Sequence, residues 1–225
     1  MAMRIDRVTR TPEIKDLVSL ALVEAFGAEP SPSGEEALGA EIAAGVERLV
    51  ARYAGRTAGA IDVLQPARVL YRSVGMDPTR YRPSPEALLR RLLKGEPFPR
   101  IHPAVDLGTL WAVLSGLPVG LYDADKLAPG PIEARLGRAG ESYEGINKPE
   151  VHLGGRLALA DADGPFGNPS SDSLRTSVGP GASHLLYVMF APTGHDIGAL
   201  DLWAAWLRER VEALFGARTV SGVLA

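Results

Sequence analysis

Between Ser84 and Ser115 the chain carries two helix signatures back to back, each with its own start and stop. Ser84-Pro85-Glu86 opens the first. A serine hydroxyl can accept from a free N–H at the N-cap, proline suits the first helical position, and glutamate favours the positive end of the dipole. Leu88, Leu89, Leu92 and Leu93 then recur at helical spacing and predict one buried face, while Arg90, Arg91 and Lys94 fall on or beside the outer face. Lys94-Gly95 closes the helix with a cation and a residue suited to the left-handed region. A second helix is predicted from about Pro103 to Ser115, with Val105, Leu110, Trp111 and Leu114 as its apolar stripe. Gly116 ends it and Pro118 prevents its return. Val119–Tyr122 then reads as a short strand, and Asp123–Lys126 as a polar corner.

The rest of the chain mixes strands and helices without regular alternation. Met3–Val8 reads as a first strand and Gly27–Gly34 as a loop. Glu35–Ala54 reads as a helix whose Leu38, Ile42, Val46, Leu49 and Tyr53 share one face. Ile61–Ser73 reads as a helix interrupted near its start by Pro66. Pro131–Arg138 alternates apolar and polar residues as a half-buried strand does, with Tyr143–Ile146 as its return strand. Arg156–Asp161 and Thr219–Leu224 read as strands, and Asp161–Ser177 as a long loop. His184–Ala191 is almost continuously apolar and is predicted to be a central strand. Ile197–Phe215 is a helix with Leu200, Trp203, Leu207, Val211 and Leu214 inward. Leu17–Phe26 is apolar throughout, and periodicity alone does not decide its state. The pattern predicts an α+β fold, a single domain around a mixed or antiparallel sheet with packed helices.

Composition excludes several functions. The 225 residues contain no cysteine, so disulfides, zinc–thiolate sites and a cysteine nucleophile are excluded. No apolar run reaches the roughly 18 residues needed to cross a bilayer, and the polar start MAMRIDRVTR leads into no signal-type core. The expectation is a cytoplasmic protein without a membrane partner. No two of His102, His152, His184 and His195 are spaced for a helical metal site. There is no G-x-S-x-G, P-loop or dinucleotide fingerprint, and no cofactor or metal is expected. Charge is uneven: from Arg68 to Arg100 there are eight Arg or Lys against three Asp or Glu, a balance of +5 in a chain of net charge -3. Such a patch is the electrostatic shape of a phosphate-binding face, or simply a solvated one.

A family resemblance runs through the same stretch. Tyr71-Arg72-Ser73, Gly75, Pro78, Tyr81-Arg82-Pro83-Ser84, Glu86–Arg91, Leu93-Lys94-Gly95, Ile101, Pro103, Val105-Asp106-Leu107, Gly116–Gly120, Asp123, Asp125 and Lys126 form its first part. Ser171-Asp172 and Arg175-Thr176 complete it. Together they resemble the B3/B4 domain of the bacterial phenylalanyl-tRNA synthetase beta chain, and more closely the stand-alone proteins built on that domain. The specific part covers about half the chain. It implies that the whole of residues 1–225 is one such domain, with the strongest match over 68–191, a helical part at 35–66 and a closing helix and strand at 197–224. It also implies that Leu17–Phe26 is a strand. In the synthetase this domain edits, hydrolysing tyrosine wrongly attached to the phenylalanine tRNA. The resemblance therefore implies a tRNA or aminoacyl-tRNA partner, no DNA, and an aminoacyl-tRNA deacylase activity. The editing asparagine and histidine are absent: Gly108 and Thr109 stand at the Thr-Asn pair, and Gly120 at the histidine.

The site residues follow from that resemblance. Asp172 and Asp106 are the catalytic candidates. Asn168, Ser171, Ser173, Arg175, Thr176, Thr109 and Gly120 are the candidates for binding substrate, and Arg72, Arg82, Arg90, Arg91 and Lys94 for holding RNA phosphate. Read from the residues alone, Asn168–Thr176 is first of all a Ser-rich loop satisfying its own backbone, and Asp106 is equally a helix cap. Asp161-Ala162-Asp163-Gly164 lacks the closing ligands of a calcium loop and reads as a turn. Three functions stay open: an editing-like hydrolase, a non-catalytic binder of RNA or an amino-acid-like ligand on the same fold, or an unrelated small-molecule enzyme on that scaffold.

Overall fold

The computed structural model describes residues 3–225. Its centre is a four-stranded antiparallel sheet of β2 (Val18–Phe26), β3 (Val119–Asp123), β9 (His184–Pro192) and β10 (Arg218–Leu224), in the order β10-β2-β9-β3. Strands β2 and β9 pair along their whole length, from Val18 opposite Pro192 to Phe26 opposite His184. Both lie inside the sheet with both faces covered, which is why their sequences run apolar instead of alternating.

One face carries helices. Ala21, Val23, Tyr187 and Met189 meet α1 (Pro32–Tyr53), α4 (Pro103–Ser115) and α5 (Ile197–Phe215) through Leu38, Ile42, Trp111, Leu200 and Leu207. The opposite face, Leu20, Leu22, Val188 and Phe190, packs on a second sheet. That sheet comprises β1 (Val8–Arg10), β4 (Ile132–Leu136), β7 (Leu157–Asp161) and β8 (Gly164–Gly167), joined in this core by α2 (Gln65–Ser73). Strand β1 runs parallel to β4 and the other ladders are antiparallel, so the architecture is α+β with mixed pairing. Outside both sheets lies a hairpin of β5 (Ser142–Gly145) and β6 (Lys148–His152). No described helix is long and apolar enough to cross a membrane.

Helices α4 and α5 keep their predicted bounds, and Gly116 caps α4 at φ 71°. A Cβ there would sit 2.0 Å from the Val63 carbonyl oxygen, so both the conformation and the space demand glycine.

Elsewhere the boundaries move for local reasons. Residues 5–7 form a 3₁₀ turn instead of strand, because the buried Glu24 carboxylate accepts the Arg4 and Ile5 N–H groups (2.6 and 3.1 Å) and draws them off any ladder. Helix α1 starts at Pro32, inside the predicted loop, because the Ser31 hydroxyl caps the Gly34 N–H at 3.1 Å. Helix α3 (Ser84–Leu92) is not capped by Ser84; Pro83 is its N-cap and no side chain bonds there. Residues 61–64 are turns, and α2 begins only at Gln65. The return strand at 142–145 pairs with β6 and not with β4, whose edges are taken by β1 and β7.

Candidate functional site

A cavity of about 460 Å³ opens where α3, α4 and β3 meet the segment after β8. Its apolar wall is Leu88 and Pro85 from α3, Val105 and Ala112 from α4, and Val119 and Leu121 from β3. Alternation along β3 explains the last two: Val119 and Leu121 face the helices, while Gly120 and Tyr122 face the second sheet. Polar groups are few. Arg82 and Arg91 are the cations among the lining residues, with Ser84, Thr109, Ser170 and Asp172 completing the polar set.

Asp172 is the chemically distinctive group. The residue keeps some contact with solvent, but its carboxyl group is enclosed, and desolvation pushes it up to about 7. Two hydrogen bonds pull the other way: the Tyr122 hydroxyl donates to Oδ1 at 2.8 Å, and the Leu121 N–H donates as well. Burial wins, so the carboxyl exchanges its proton near neutrality. Tyr122 itself is fully buried and raised well above the ordinary phenol value, first by desolvation and then by the Asp172 charge.

Two glycines make room for that tyrosine. A Cβ on Gly120 would lie 2.0 Å from the Tyr122 hydroxyl oxygen, and one on Gly167 would lie 2.1 Å from it. The phenol therefore occupies a slot between β3 and the end of β8. Any side chain at position 120 competes with the group that orients Asp172.

The segment 168–176 is fastened largely by its own side chains. Asn168 Oδ1 accepts the N–H groups of Ser170 and Ser171 (2.7 and 3.0 Å), and its amide donates to the Tyr143 hydroxyl at 3.0 Å. Tyr143 in turn donates to the Ser171 carbonyl. Ser173 caps a short 3₁₀ turn, Leu174–Thr176, by accepting from the Arg175 N–H, and the Thr176 hydroxyl bonds the Phe166 carbonyl. Arg175 grips Asp161 in a two-pronged ion pair at 2.8 and 3.1 Å. Asn168, Ser171, Ser173, Arg175 and Thr176 thus support the segment without lining the cavity. Only its Ser170 and Asp172 reach in.

Asp106, the second catalytic candidate, lies buried in the first turn of α4 and outside the cavity wall. Its Oδ1 accepts the Ile101 N–H at 2.8 Å and its Oδ2 the Arg100 guanidinium at 2.7 Å, so it ties the incoming chain to the first turn, while His102 is the N-cap and accepts the Ala104 N–H. Thr109 lines the cavity; Gly120 adjoins it only through its slot.

The basic run is divided. Arg82 and Arg91 reach the cavity, Arg90 and Lys94 reach a different recess, and Arg72 is exposed on α2 away from both. Arg91 also holds Glu96 at 2.7 Å, and buried Glu86 binds Arg68 at 2.8 Å with Arg82 at 3.5 Å. Tyr122 and Ser170 were not legible as site residues, since Tyr122 meets Asp172 across 50 residues of sequence.

The family model described as the B3/4 domain matches residues 67–186, more than half of the chain. The chain belongs to the B3/4 domain family. That match takes in most of α2, all of α3 and α4 and the whole cavity wall, so the site lies within the B3/4 domain's own residues. Among solved structures, the B3/4 chain is similar to an N-terminal fragment of the phenylalanyl-tRNA synthetase beta-subunit from Pyrococcus horikoshii. The identity is 14% and the TM-score 0.44, over 94% of this chain and 49% of that one. This chain therefore spans about half the length of that fragment. No curated protein matches the chain.

Proposed function

We propose that the cavity receives the aminoacyl end of an aminoacylated RNA and that Asp172 acts as general base in hydrolysis of its ester. The observation that carries this reading is the enclosed carboxyl at about 7, on the wall of an otherwise largely apolar cavity whose other charged lining groups are guanidinium groups. A base poised near the operating pH is the efficient kind. Asp172 takes a proton from a water whose oxygen attacks the ester carbonyl. As the tetrahedral adduct collapses, the carbon–oxygen bond to the ribose breaks and the departing ribose oxygen recovers a proton. Free amino acid and uncharged RNA result. The apolar wall suits an amino-acid side chain, Thr109 and Ser170 can hold polar groups beside it, and Arg82 and Arg91 can hold phosphate. Membership of the B3/4 domain family agrees with this reading.

A second reading has its own support. The positions of the editing asparagine and histidine hold Thr109 and Gly120, and the space at Gly120 is filled by the Tyr122 phenol. A domain that kept the pocket and replaced the chemistry would bind an aminoacyl group or amino-acid-like ligand without turnover. Deacylation of tyrosine-charged phenylalanine tRNA and of a panel of other mischarged tRNAs separates the two. Turnover that disappears in Asp172→Asn supports hydrolysis. Tight binding of charged tRNA without turnover supports the binder, and neither result with any tRNA discards the RNA reading.

A further inference from the structure

Helix α3 presents its cations to two places. Arg91, with Arg82, faces the cavity. Arg90 and Lys94, one turn apart, face a separate recess of about 440 Å³ on the other side of the helix. Its remaining lining comes from Gly55, Arg56, Thr57 and Ala58, in the turn that follows α1, and from Leu93. Three cations from two segments distant in sequence thus converge, and no acidic residue lines the recess.

Within the basic run, Arg68, Arg82, Arg91 and Arg100 each hold a carboxylate, while Arg72 and Arg80 stand apart from the recess. Among the described residues, the side chains of Arg56, Arg90 and Lys94 form no ion pair, and all three are exposed. Like charges gathered without counter-charges repel one another, so the arrangement is best satisfied when a polyanion supplies the missing charge. The recess is shallow and ringed by long exposed side chains, and it lacks a cradle of buried donors for one phosphate. A backbone with regularly repeated phosphates, running across the surface, fits it better than a single anion.

We propose that Arg56, Arg90 and Lys94 form a docking site for the phosphodiester backbone of RNA. The aminoacyl end of that RNA enters the cavity, and its preceding nucleotides pass over α3. The identity of what enters the cavity rests on the function proposed above; the backbone site does not depend on hydrolysis. Arg82 and Arg91 then neutralise the phosphates nearest the ester, and the recess those further along the strand.

The test uses uncharged tRNA. Binding by the full chain is titrated by fluorescence anisotropy across a salt series, for the wild type and for Arg56→Gln/Arg90→Gln/Lys94→Gln. Unfolding midpoints verify that the variant is folded. Each lost contact should reduce the slope of log affinity against log salt by about 0.7–0.9, so the triple variant should lose roughly two units of slope and bind at least tenfold more weakly at low salt. Uncharged tRNA carries no aminoacyl ester, so this measurement reads the backbone site separately from the chemistry of the cavity. An unchanged slope and affinity in the triple variant overturn the proposal, as does a wild type that binds no tRNA at low salt. Loss of slope in an Arg82→Gln/Arg91→Gln variant alone would place the strand on the cavity side and overturn it too.

Discussion

Asp172→Asn should make the protein more stable, and by an amount that depends on pH. Asparagine keeps the shape and can still accept from the Tyr122 hydroxyl and the Leu121 N–H, so mainly the titratable charge is removed. In the folded wild type the carboxyl titrates near 7, against 3.8 for the ordinary group. Because the folded value is raised, the folded state holds the proton through that window while the unfolded state has released it. The stability contributed by Asp172 is therefore fully present below about pH 4 and is lost as pH rises through about 7. At about 1.4 kcal/mol per pH unit, the span from 3.8 to about 7 gives an upper bound of about 4 kcal/mol. The difference between variant and wild type should be close to constant below pH 4, grow through pH 5 and 6, and level off above pH 7.5. His184, which burial lowers and its bonds to Glu24 and Asp125 raise more strongly, titrates in both proteins and cancels in the difference. Urea unfolding at half-unit pH steps, followed by circular dichroism, measures it. A difference that stays flat from pH 4 to 8 would refute the claim that burial holds this carboxyl near neutrality.

Other outcomes follow from the same geometry. Tyr122→Phe removes a donor that favours the ionised form of Asp172, so the carboxyl should rise further. The acid limb of any Asp172-dependent activity should move up by about one pH unit or more, given about 1.5–3 kcal/mol for a hydrogen bond to a charged group. Gly120→Ala forces a methyl to within 2.0 Å of the Tyr122 oxygen and should destabilise by ~1–3 kcal/mol in chemical denaturation; pairing it with Tyr122→Ala should recover part of the loss specific to that clash. Asp106→Ala orphans the Ile101 N–H and Arg100 and should lower stability by ~2 kcal/mol, while leaving the pH dependence of Asp172 unmoved in the same unfolding series.

The fold was more legible in the sequence than the site, and the reason is range. Helices α4 and α5 and strand β9 announce themselves through local signals: a proline at the start of α4, a glycine after each helix, a long apolar run in β9. The run that forms β2 is just as apolar, and only the family resemblance made it a strand. Even the missed start of α1 used a signal present in the sequence, since Ser31-Pro32 is the same pair as Ser84-Pro85; which of the two serines caps is decided by the surrounding backbone. The site depends on contacts that no spacing reveals. Asp172 was singled out from a resemblance, but its partner Tyr122 and the Gly120–Gly167 slot come from strands that meet only in the folded chain. Asn168, Ser173, Arg175 and Thr176 look like pocket groups because they are polar and clustered. Asn168 and Ser173 bond back onto the segment itself, while Arg175 and Thr176 tie it to Asp161 and the Phe166 carbonyl, and these bonds together hold Ser170 and Asp172 in place.

The position of β2 has a consequence for biosynthesis. The strand's two neighbours in the sheet, β9 and β10, both follow it at long range in the sequence, β9 beginning only at His184. At ~5–20 residues per second, synthesis of residues 27–183 leaves this apolar segment without a strand partner for roughly ten to thirty seconds. Helix α1 is the first element able to shield it during that interval. A polypeptide that stops short of β9 has no means of completing the layer and should be handed to chaperones or aggregate.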